Sequence, residues 1–390
     1  MSESNTQELT FSLCKNIEDI EETSCDACAG DENPFIEHRF LKALETSGSA
    51  TAATGWMPLH LTIRDDGDDL VGCAPMYLKS HSQGEYVFDH SWAQAFQKAG
   101  GHYYPKLLIG VPFTPVTGSR LLIRPDQNTS TISSALISGM TKIATQNNLS
   151  SISINFLSQE EYESLGTRGF LQRTGEQFHW QNDGYDSFND FLNALSSRKR
   201  KLVKRERREA SNKEVSVFHL TGNEIRPQHW DSFYNFYLDT SRKKWGQAYL
   251  NREFFEILGQ TMADKVLLVL AQRDGHMVAG ALNMIGKNTL FGRYWGCVED
   301  HKFLHFEMCY YQAIEFAIEK GLGRVEAGAQ GPHKLSRGYL PYHTYSAHWI
   351  VNADFREAVE KYLEYERIAV SEEIDLLEHH SPFRKFEENR

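Results

Sequence analysis

The chain has 390 residues, of which 41% are hydrophobic and 24% are charged. This composition excludes collagen-like, low-complexity, disordered and coiled-coil proteins, and it is typical of a globular protein with about two or three domains. Lys and Arg together number 41 against 52 Asp and Glu, a net charge of −11, so we expect no DNA partner and only local binding of anions.

The N-terminal residues, the apolar stretches and the cysteines indicate the cellular compartment. The first residues are polar and acidic, without the basic start and apolar run of a signal peptide, and no stretch has the roughly 18 apolar residues of a membrane-spanning helix. We therefore expect a cytoplasmic protein without a transmembrane segment. Six scattered cysteines do not predict a disulfide framework, and the lone CxxC of Cys25 and Cys28 favours free thiols over a metal site.

Hydrophobic periodicity predicts α- and β-elements along the first half. In chain order these are a strand at 11–14, a helix at 35–44, a hairpin of 59–64 and 70–78, a helix at 132–143, and strands at 151–157 and 170–180.

The second half repeats this order. The predicted elements are a strand at 215–220, helices at 227–240 and 252–262, a hairpin of 266–272 and 277–285, a strand at 289–296, a helix at 306–320, strands at 324–327 and 343–351, and a helix at 355–377. We interpret the repetition as an internal duplication with domains 1–185 and 186–390, the second entered through a basic segment at 198–208.

The basic segment is the sharpest local feature, since eight of the eleven residues from Arg198 to Arg208 are Lys or Arg. On a helix, Arg198, Lys201, Arg205 and Arg208 would share one side and contact a run of phosphates. The alternative is a solvated helix that links two domains.

A second feature is the strand 291–296 that leads into a helix. Such a junction collects backbone N–H groups, which suit an anionic ligand or a developing oxyanion. Glu307 is a candidate general base, although an acidic residue here also complements the helix dipole. His301 and His305 have the i, i+4 spacing of metal ligands but lack the HExxH glutamate and a third ligand, so we expect no metal.

A third feature is a glycine-rich bend after the strand at 324–327, with polar side chains suited to substrate binding. The alternative is a tight connection whose glycines satisfy turn geometry. The candidate substrate-binding residues here and on the preceding strand are Arg293, Trp295, Glu326, Gln330, His333, Lys334 and Arg337.

The corresponding loop of the first half supplies Asp89, His90 and Trp92, which suit a cleft wall, although core packing explains Trp92 equally well. The sequence has no GxxxxGK[ST], no GxGxxG after a strand and no GxSxG, so P-loop, Rossmann and α/β-hydrolase proteins lack support.

Several motifs together resemble a known family. They are Asn33-Pro-Phe, Phe88-Asp-His-Ser-Trp-Ala, Gly110-Val-Pro-Phe-Thr-Pro-Val-Thr-Gly, Arg198-Lys-Arg-Lys, His305-Phe-Glu-Met-Cys-Tyr-Tyr-Gln and Gly328-Ala-Gln-Gly-Pro-His-Lys. In this order they are similar to GNAT-type acyltransferases described as peptidoglycan-biosynthesis proteins, with the arrangement of Fem-like aminoacyltransferases. The resemblance implies an α/β (α+β layered) fold of two tandem GNAT-like domains, each a mixed, mostly antiparallel sheet flanked by helices.

The resemblance also implies an activity, transfer of an acyl or aminoacyl group to an amine of a peptidoglycan precursor or related metabolite. Acyl-CoA or aminoacyl-tRNA would be the co-substrate, with no bound cofactor, which leaves tRNA as a further partner. The stretch 299–307 lacks the glycines with which acetyl-CoA-binding GNAT domains hold pyrophosphate. In the expected mechanism Glu307 or His305 takes the amine proton and Tyr294 protonates the leaving group. The alternative is a non-catalytic ligand-binding protein on a duplicated GNAT scaffold.

Overall fold

The computed structural model describes residues 8–211, 215–245, 248–329 and 331–384. The helices are α1 (Glu22–Ala29), α2 (His38–Thr46), α3 (His90–Lys98), α4 (Thr129–Gln146), α5 (Gln159–Thr167), α6 (Phe188–Ala194), α7 (Ser197–Ala210), α8 (Pro227–Trp245), α9 (Arg252–Thr261), α10 (Leu304–Phe306), α11 (Gln312–Glu319) and α12 (Ala353–His379). A π-helical turn, Glu307–Tyr311, joins α10 to α11, and Pro332–Arg337 forms a 3-10 helix.

The strands are β1 (Thr10–Cys14), β2 (Trp56–Pro58), β3 (His60–Arg64), β4 (Leu70–Ala74), β5 (Met76–Lys79), β6 (Lys106–Ile109), β7 (Leu122–Ile123), β8 (Ser151–Leu157), β9 (Leu171–Gln181), β10 (Ser216–Thr221), β11 (Val266–Arg273), β12 (His276–Ile285), β13 (Thr289–Cys297), β14 (Arg324–Glu326) and β15 (Leu340–Ile350).

The chain divides into two compact units. The first takes the chain up to Gly175 and Thr344–Ala369, and the second takes Glu176–His343 and the chain from Val370. This differs from the predicted boundary near Asp186, because β15 pairs with β8 and the following helix buries Val359 and Leu363 in the first unit. The sequence pattern does not show which earlier strand a late strand pairs with.

The first unit contains a small sheet, β1-β3-β4-β7, and a second set of paired strands in the order β15-β8-β6-β5-β2. Strand β6 runs parallel to β8, and the other neighbours in that set are antiparallel. Helix α4 covers one face with apolar side chains, including Leu136 and Met140, against Ile152 and Ile154 of β8. This apolar face is the core of the unit.

The second unit pairs its strands in the order β10-β11-β12-β13-β14-β9. Here β13 runs parallel to β14, and their other partners are antiparallel. Helices α10 and α11 connect β13 to β14, as α4 connects β6 to β8. The two units therefore share one parallel pair with a helical connection inside an otherwise antiparallel sheet, which matches the predicted duplication.

Two predicted elements differ in the structure. The segment that begins at Phe88, expected as a loop, becomes α3 from His90, because Trp92 and Ala93 supply a buried face. The helix expected at 35–44 begins at His38 instead. The helix expected to end at Lys320-Gly321 does so, and Gly321 has a φ of 67°, the left-handed conformation that stops helices. None of the helices within the described ranges is long and apolar enough to span a membrane.

Candidate active site

The parallel pair β13 and β14 positions the candidate site. The strands pair from Thr289 with Arg324 to Phe291 with Glu326, after which β14 ends while β13 continues to Cys297. A Cβ at Gly292 would lie 3.2 Å from the backbone oxygen of Glu326, so the strands are in close contact where the pairing ends. Beyond this point, β13 pairs with β12 and with no other strand of the described residues.

Glu326 is a buried carboxyl group at this point, with 4% of its surface exposed. Its Oε1 lies 3.6 Å from Nη1 of Arg324, and its Oε2 has no hydrogen-bond partner within the described residues. Burial raises its pKa to about 7 and outweighs the opposite effect of Arg324 and Arg293. A carboxyl group with this pKa exchanges a proton readily near neutral pH.

His179 of β9 is the neighbour of this carboxyl group, with Nε2 at 3.9 Å from Oε2 of Glu326. Burial, assisted by the charges of Arg324 and Lys334, lowers its pKa to about 3. The imidazole is therefore neutral at pH 7 and forms a polar contact rather than an ion pair. Its ring stacks on Tyr342 at 4.7 Å, which fixes its orientation.

Lys334 organises the loop after β14. Its Nζ donates hydrogen bonds to the carbonyl oxygens of Ala327, Gly328 and Ala329, at 2.8, 3.1 and 3.0 Å. Such contacts orient the loop backbone. The sequence predicts that Lys334 contacts substrate, whereas in the structure it positions the loop. The predicted substrate-binding residue Gln330 lies outside the described residues.

Tyr294 and Trp295 contact different elements on β13. The Tyr294 ring lies 5.1 Å from Tyr237 of α8, whereas the Trp295 ring lies 5.2 Å from His305 of α10. Neighbouring residues on a strand point to opposite faces, so the sheet separates Tyr294 from His305. The structure does not bring these two predicted catalytic residues together.

His305 belongs to an aromatic and imidazole cluster on the α10 side of β13. Its ring lies 5.4 Å from that of Tyr310 and 6.4 Å from that of His333. The Tyr310 hydroxyl and Nε2 of His333 are hydrogen-bonded at 3.0 Å, and His333 is exposed. The predicted residues Trp295, His305 and His333 thus lie near one another.

Glu307, the other predicted base, is buried at the start of the π-helical turn. Its carboxylate accepts hydrogen bonds from Arg207 of α7, with Nη2 at 3.0 Å, and from Nε2 of Gln312 at 2.7 Å. Arg207 also donates to Glu315 at 2.7 Å. Glu307 is therefore committed to an ion pair that ties α7 to the helix after β13.

Arg337 forms a second tie to α7. This buried guanidinium donates to both oxygens of Glu206, and its charge lies 3.5 Å from the centre of the Phe306 ring. The Tyr311 hydroxyl donates to the same Glu206 carboxylate at 2.5 Å. Arg337 was predicted to contact substrate, and in the structure its contacts are internal.

The basic segment does form a helix, α7, with two distinct faces. Lys199, Glu206 and Arg207 make contacts within the unit, Lys199 through a 2.7 Å hydrogen bond to Ser336. The four residues predicted to bind phosphate, together with one further lysine, are exposed: Arg198, Lys201, Lys204, Arg205 and Arg208. The face directed at solvent is thus cationic on a helix fixed by its other face.

In the first unit, Asp89 belongs to a buried charge cluster. Lys106 Nζ donates to Oε2 of Glu85 at 2.7 Å and to Oδ2 of Asp89, which also accepts a 2.6 Å hydrogen bond from Tyr103. Burial raises the pKa of Glu85 to about 7. Burial acts in the same direction on Asp89, but Lys106 outweighs it and lowers that pKa to about 2.

Trp92 lies in the core of the first unit with only 5% exposed, where it packs with Tyr103 and Val359. Of the two interpretations of Trp92 from the sequence, the structure agrees with core packing. His90 is exposed, so Asp89, His90 and Trp92 do not share one surface.

Within the described parts of the chain, no group of three His, Cys, Asp or Glu side chains is arranged to hold a metal ion. Sequence analysis missed His179 and Arg324, which flank Glu326, and the inward contacts of Glu206 and Arg207. His179 lies in the long strand β9 and Arg324 in the short strand β14, and nothing in the sequence pattern marks either residue. The helical spacing of Glu206 and Arg207 relative to Val203, in contrast, indicates a face of α7 that packs inward.

Comparison with known proteins identifies the family. A family model described as FemAB-like, peptidoglycan biosynthesis/recognition, matches residues 16–385. The chain belongs to the FemAB-like family. No curated protein matches the sequence significantly.

Solved structures share the fold of this FemAB-like chain at low identity. FemX has a TM-score of 0.56 and 13% identity, covering 87% of this chain and 98% of its own. A conserved protein of unknown function from Bacteroides thetaiotaomicron has a TM-score of 0.50 and 10% identity, covering 87% of this chain and 99% of its own. A tandem GNAT protein from the clavulanic acid biosynthesis pathway is also similar, with a TM-score of 0.48, 12% identity, and coverage of 88% and 99%.

These findings confirm the predicted Fem-like family, and the structure shared with FemX confirms the predicted fold. The chain therefore has the fold of FemX and belongs to a family described by peptidoglycan biosynthesis/recognition.

Proposed function

We propose that this protein is an N-acyltransferase in which Glu326 is the general base. The observation that carries the proposal is a buried carboxyl group with a pKa of about 7 where the parallel pairing of β13 and β14 ends. An attacking amine must lose a proton as it forms the new bond, and a base with a pKa near the working pH accepts that proton most effectively.

In the proposed reaction, the acceptor amine attacks the carbonyl carbon of a thioester or ester donor. The N–C bond forms as the C–S or C–O bond breaks, Glu326 takes a proton from nitrogen, and the thiol or hydroxyl product leaves with a proton. The neutral imidazole of His179, 3.9 Å from Glu326, would orient the carboxylate. Tyr294 and His305 remain candidates for proton transfer to the leaving group, on opposite faces of β13.

The acceptor in this proposal is an amine of a peptidoglycan precursor or related metabolite, in agreement with the description of the family. For the donor we propose an acyl-CoA or an aminoacyl-tRNA. The stretch 299–307 has no glycine, so we propose that a phosphate-bearing donor is held by other parts of the chain. Glu299 in this stretch pairs with Arg273 at 3.1 Å and with His301 at 2.8 Å.

The base is tested with two matched variants, Glu326→Gln and Glu307→Gln, because each replaces one buried carboxyl group by an amide of the same size. We expect Glu326→Gln to lower kcat/KM by on the order of 10²-fold or more and to remove a rise in the wild-type rate centred near pH 7. We expect Glu307→Gln to lose stability through Arg207, while the folded fraction keeps a similar kcat. The reverse pattern would assign the base to Glu307 and overturn the proposal.

The donor is tested by calorimetric titration with acetyl-CoA and with a longer acyl-CoA. Saturable binding of either establishes a CoA donor. The absence of heat at millimolar ligand, with turnover of aminoacyl-tRNA, establishes the tRNA donor.

A second candidate function is non-catalytic ligand binding, favoured by an observation in the first unit. Several buried polar atoms there have no hydrogen-bond partner in the described part of the chain, namely Oε1 of Glu85, Oδ1 of Asp89 and both amide atoms of Asn155. Native proteins rarely leave such atoms unpaired, so they fit contact with water or a polar ligand. Binding of a cell-wall precursor that persists in Glu326→Gln, without consumption of any donor, would favour this function.

A further inference from the structure

A surface cavity in the second unit lies between α6, α7 and α11. Its volume is about 520 Å³, within the range of small-molecule sites. Phe188, Leu192 and Ile318 supply its apolar side chains, and none of its lining residues is among the predicted catalytic or phosphate-binding residues. The cavity is therefore lined by residues other than the candidate catalytic and phosphate-binding residues.

Arg207 lines the cavity as a member of internal ion pairs. Its guanidinium stacks over the Phe188 ring at 4.3 Å and is held back by Glu307 and by Glu315, at 3.0 and 2.7 Å. The charges of Arg207 and Glu315 therefore largely neutralise each other at the cavity wall, and a ligand gains little from either alone.

Three lining residues keep uncompensated charges, one cation and two carboxylates. Lys204 on α7, Glu319 at the end of α11 and Asp186 before α6 line the cavity and make no hydrogen bond or ion pair within the described chain. All three are exposed, and Lys204 and Glu319 belong to different helices. A ligand complementary to this arrangement carries an anionic group for Lys204, a cationic group for Glu319 and an apolar part for Phe188, Leu192 and Ile318.

We propose that this cavity binds a small zwitterion, an amino acid or short peptide with both ends free and an apolar side chain. Its carboxylate contacts Lys204, its ammonium contacts Glu319, and its side chain packs on Phe188. This site is independent of the proposed transferase activity, so either stands if the other fails.

The test is calorimetric titration of the full chain with leucine and with leucyl-leucine, and with acetyl-leucine and leucine amide as analogues that each lack one charge. We expect saturable binding of a ligand with two free ends and at least tenfold weaker binding when either end is blocked. Binding of the blocked analogues with unchanged affinity, or no binding at millimolar concentration, would overturn the proposal.

Substitutions in the protein test whether the ligand binds in this cavity. Lys204→Glu and Glu319→Lys should each weaken binding at least tenfold, whereas the combined exchange should restore much of it, because the ligand can bind in the reversed orientation. Lys243→Glu is the matched control, since this exposed lysine of α8 makes the same charge change away from the cavity. Unchanged affinity in both single variants would place any bound zwitterion elsewhere.

Discussion

Arg337 donates hydrogen bonds to both carboxylate oxygens of Glu206, from Nη2 at 2.7 Å and from Nε at 3.0 Å, and both residues are buried. Through this pair α7 is joined to the 3-10 helix Pro332–Arg337, which follows the loop after β14. The buried Arg337–Glu206 pair thus connects the basic helix α7 to the segment that follows the candidate active site, within the second unit.

Arg337→Met should lower the free energy of unfolding by about 3–5 kcal/mol, because it leaves the Glu206 carboxylate buried without its cation. Urea unfolding measures the loss. Arg205→Met is the control, since Arg205 is exposed on α7, the helix of Glu206, and its replacement should change stability by no more than about 0.5 kcal/mol. Equal losses in both variants would contradict a structural role for the buried pair.

Glu326 makes the stability of the protein depend on pH. Its pKa is about 7 when folded against an ordinary value of 4.5, so the unfolded chain releases this proton at lower pH than the folded chain. Stability from this group is complete below pH 4.5 and is lost as pH rises through about 7, a total of about 3 kcal/mol. Relative to wild type, Glu326→Gln should therefore become more stable between pH 4.5 and 8 in urea unfolding. A stability difference that does not change with pH would show that the carboxyl group has an ordinary pKa.

Lys106→Met should destabilise the first unit by about 3–5 kcal/mol at pH 8, because the buried carboxyl groups of Asp89 and Glu85 then both lose their ion pair with Lys106. In the wild type Asp89 has a pKa of about 2, so the pairing stabilises the fold above the ordinary value of 3.8 and is lost as pH falls towards 2. The cost of the substitution should therefore shrink in acid, as both carboxyl groups of the variant take up protons. Lys98→Met, at an exposed lysine of α3, is the control. A cost that is the same at pH 8 and pH 4 would argue against this charge balance.

The exposed face of α7 is tested with phosphate polymers. If Arg198, Lys201, Arg205 and Arg208 contact phosphates, the logarithm of the association constant for bulk tRNA should fall linearly with the logarithm of salt concentration. The double variant Arg198→Glu/Lys201→Glu should make that slope less steep by the contribution of about two phosphate contacts. Its stability in urea should be nearly unchanged, since both side chains are exposed. A wild-type slope near zero would exclude broad phosphate contact and favour the solvated helix.

Most elements of the fold were predictable because periodicity along the chain is a local property. The two hairpins, the helix at 132–143 and the alternating strand at 151–157 all occur near their predicted positions. The α3 helix was missed because its short apolar face, Trp92 and Ala93, carries little periodic signal and becomes decisive only by packing against the core.

The candidate site was only partly predictable, because the sequence does not show which carboxyl groups are paired in the fold. Two glutamates show the difference. Glu307 and Glu326 look alike in sequence, but Arg207 compensates the first, while the second has Arg324 at 3.6 Å and an unpaired oxygen in the described structure. Burial and partners, which set the pKa of a carboxyl group, come from residues distant in the chain.

The sequence by itself determined the family, the duplicated order of elements and the helical basic segment, because each of these depends on local patterns and ordered motifs. Tertiary structure alone decided that β15 belongs to the first unit, that Glu206 of α7 pairs with Arg337, and that Glu326 lies beside His179. These are contacts between segments up to about half the chain apart, and their energies arise only when folding removes water from both partners.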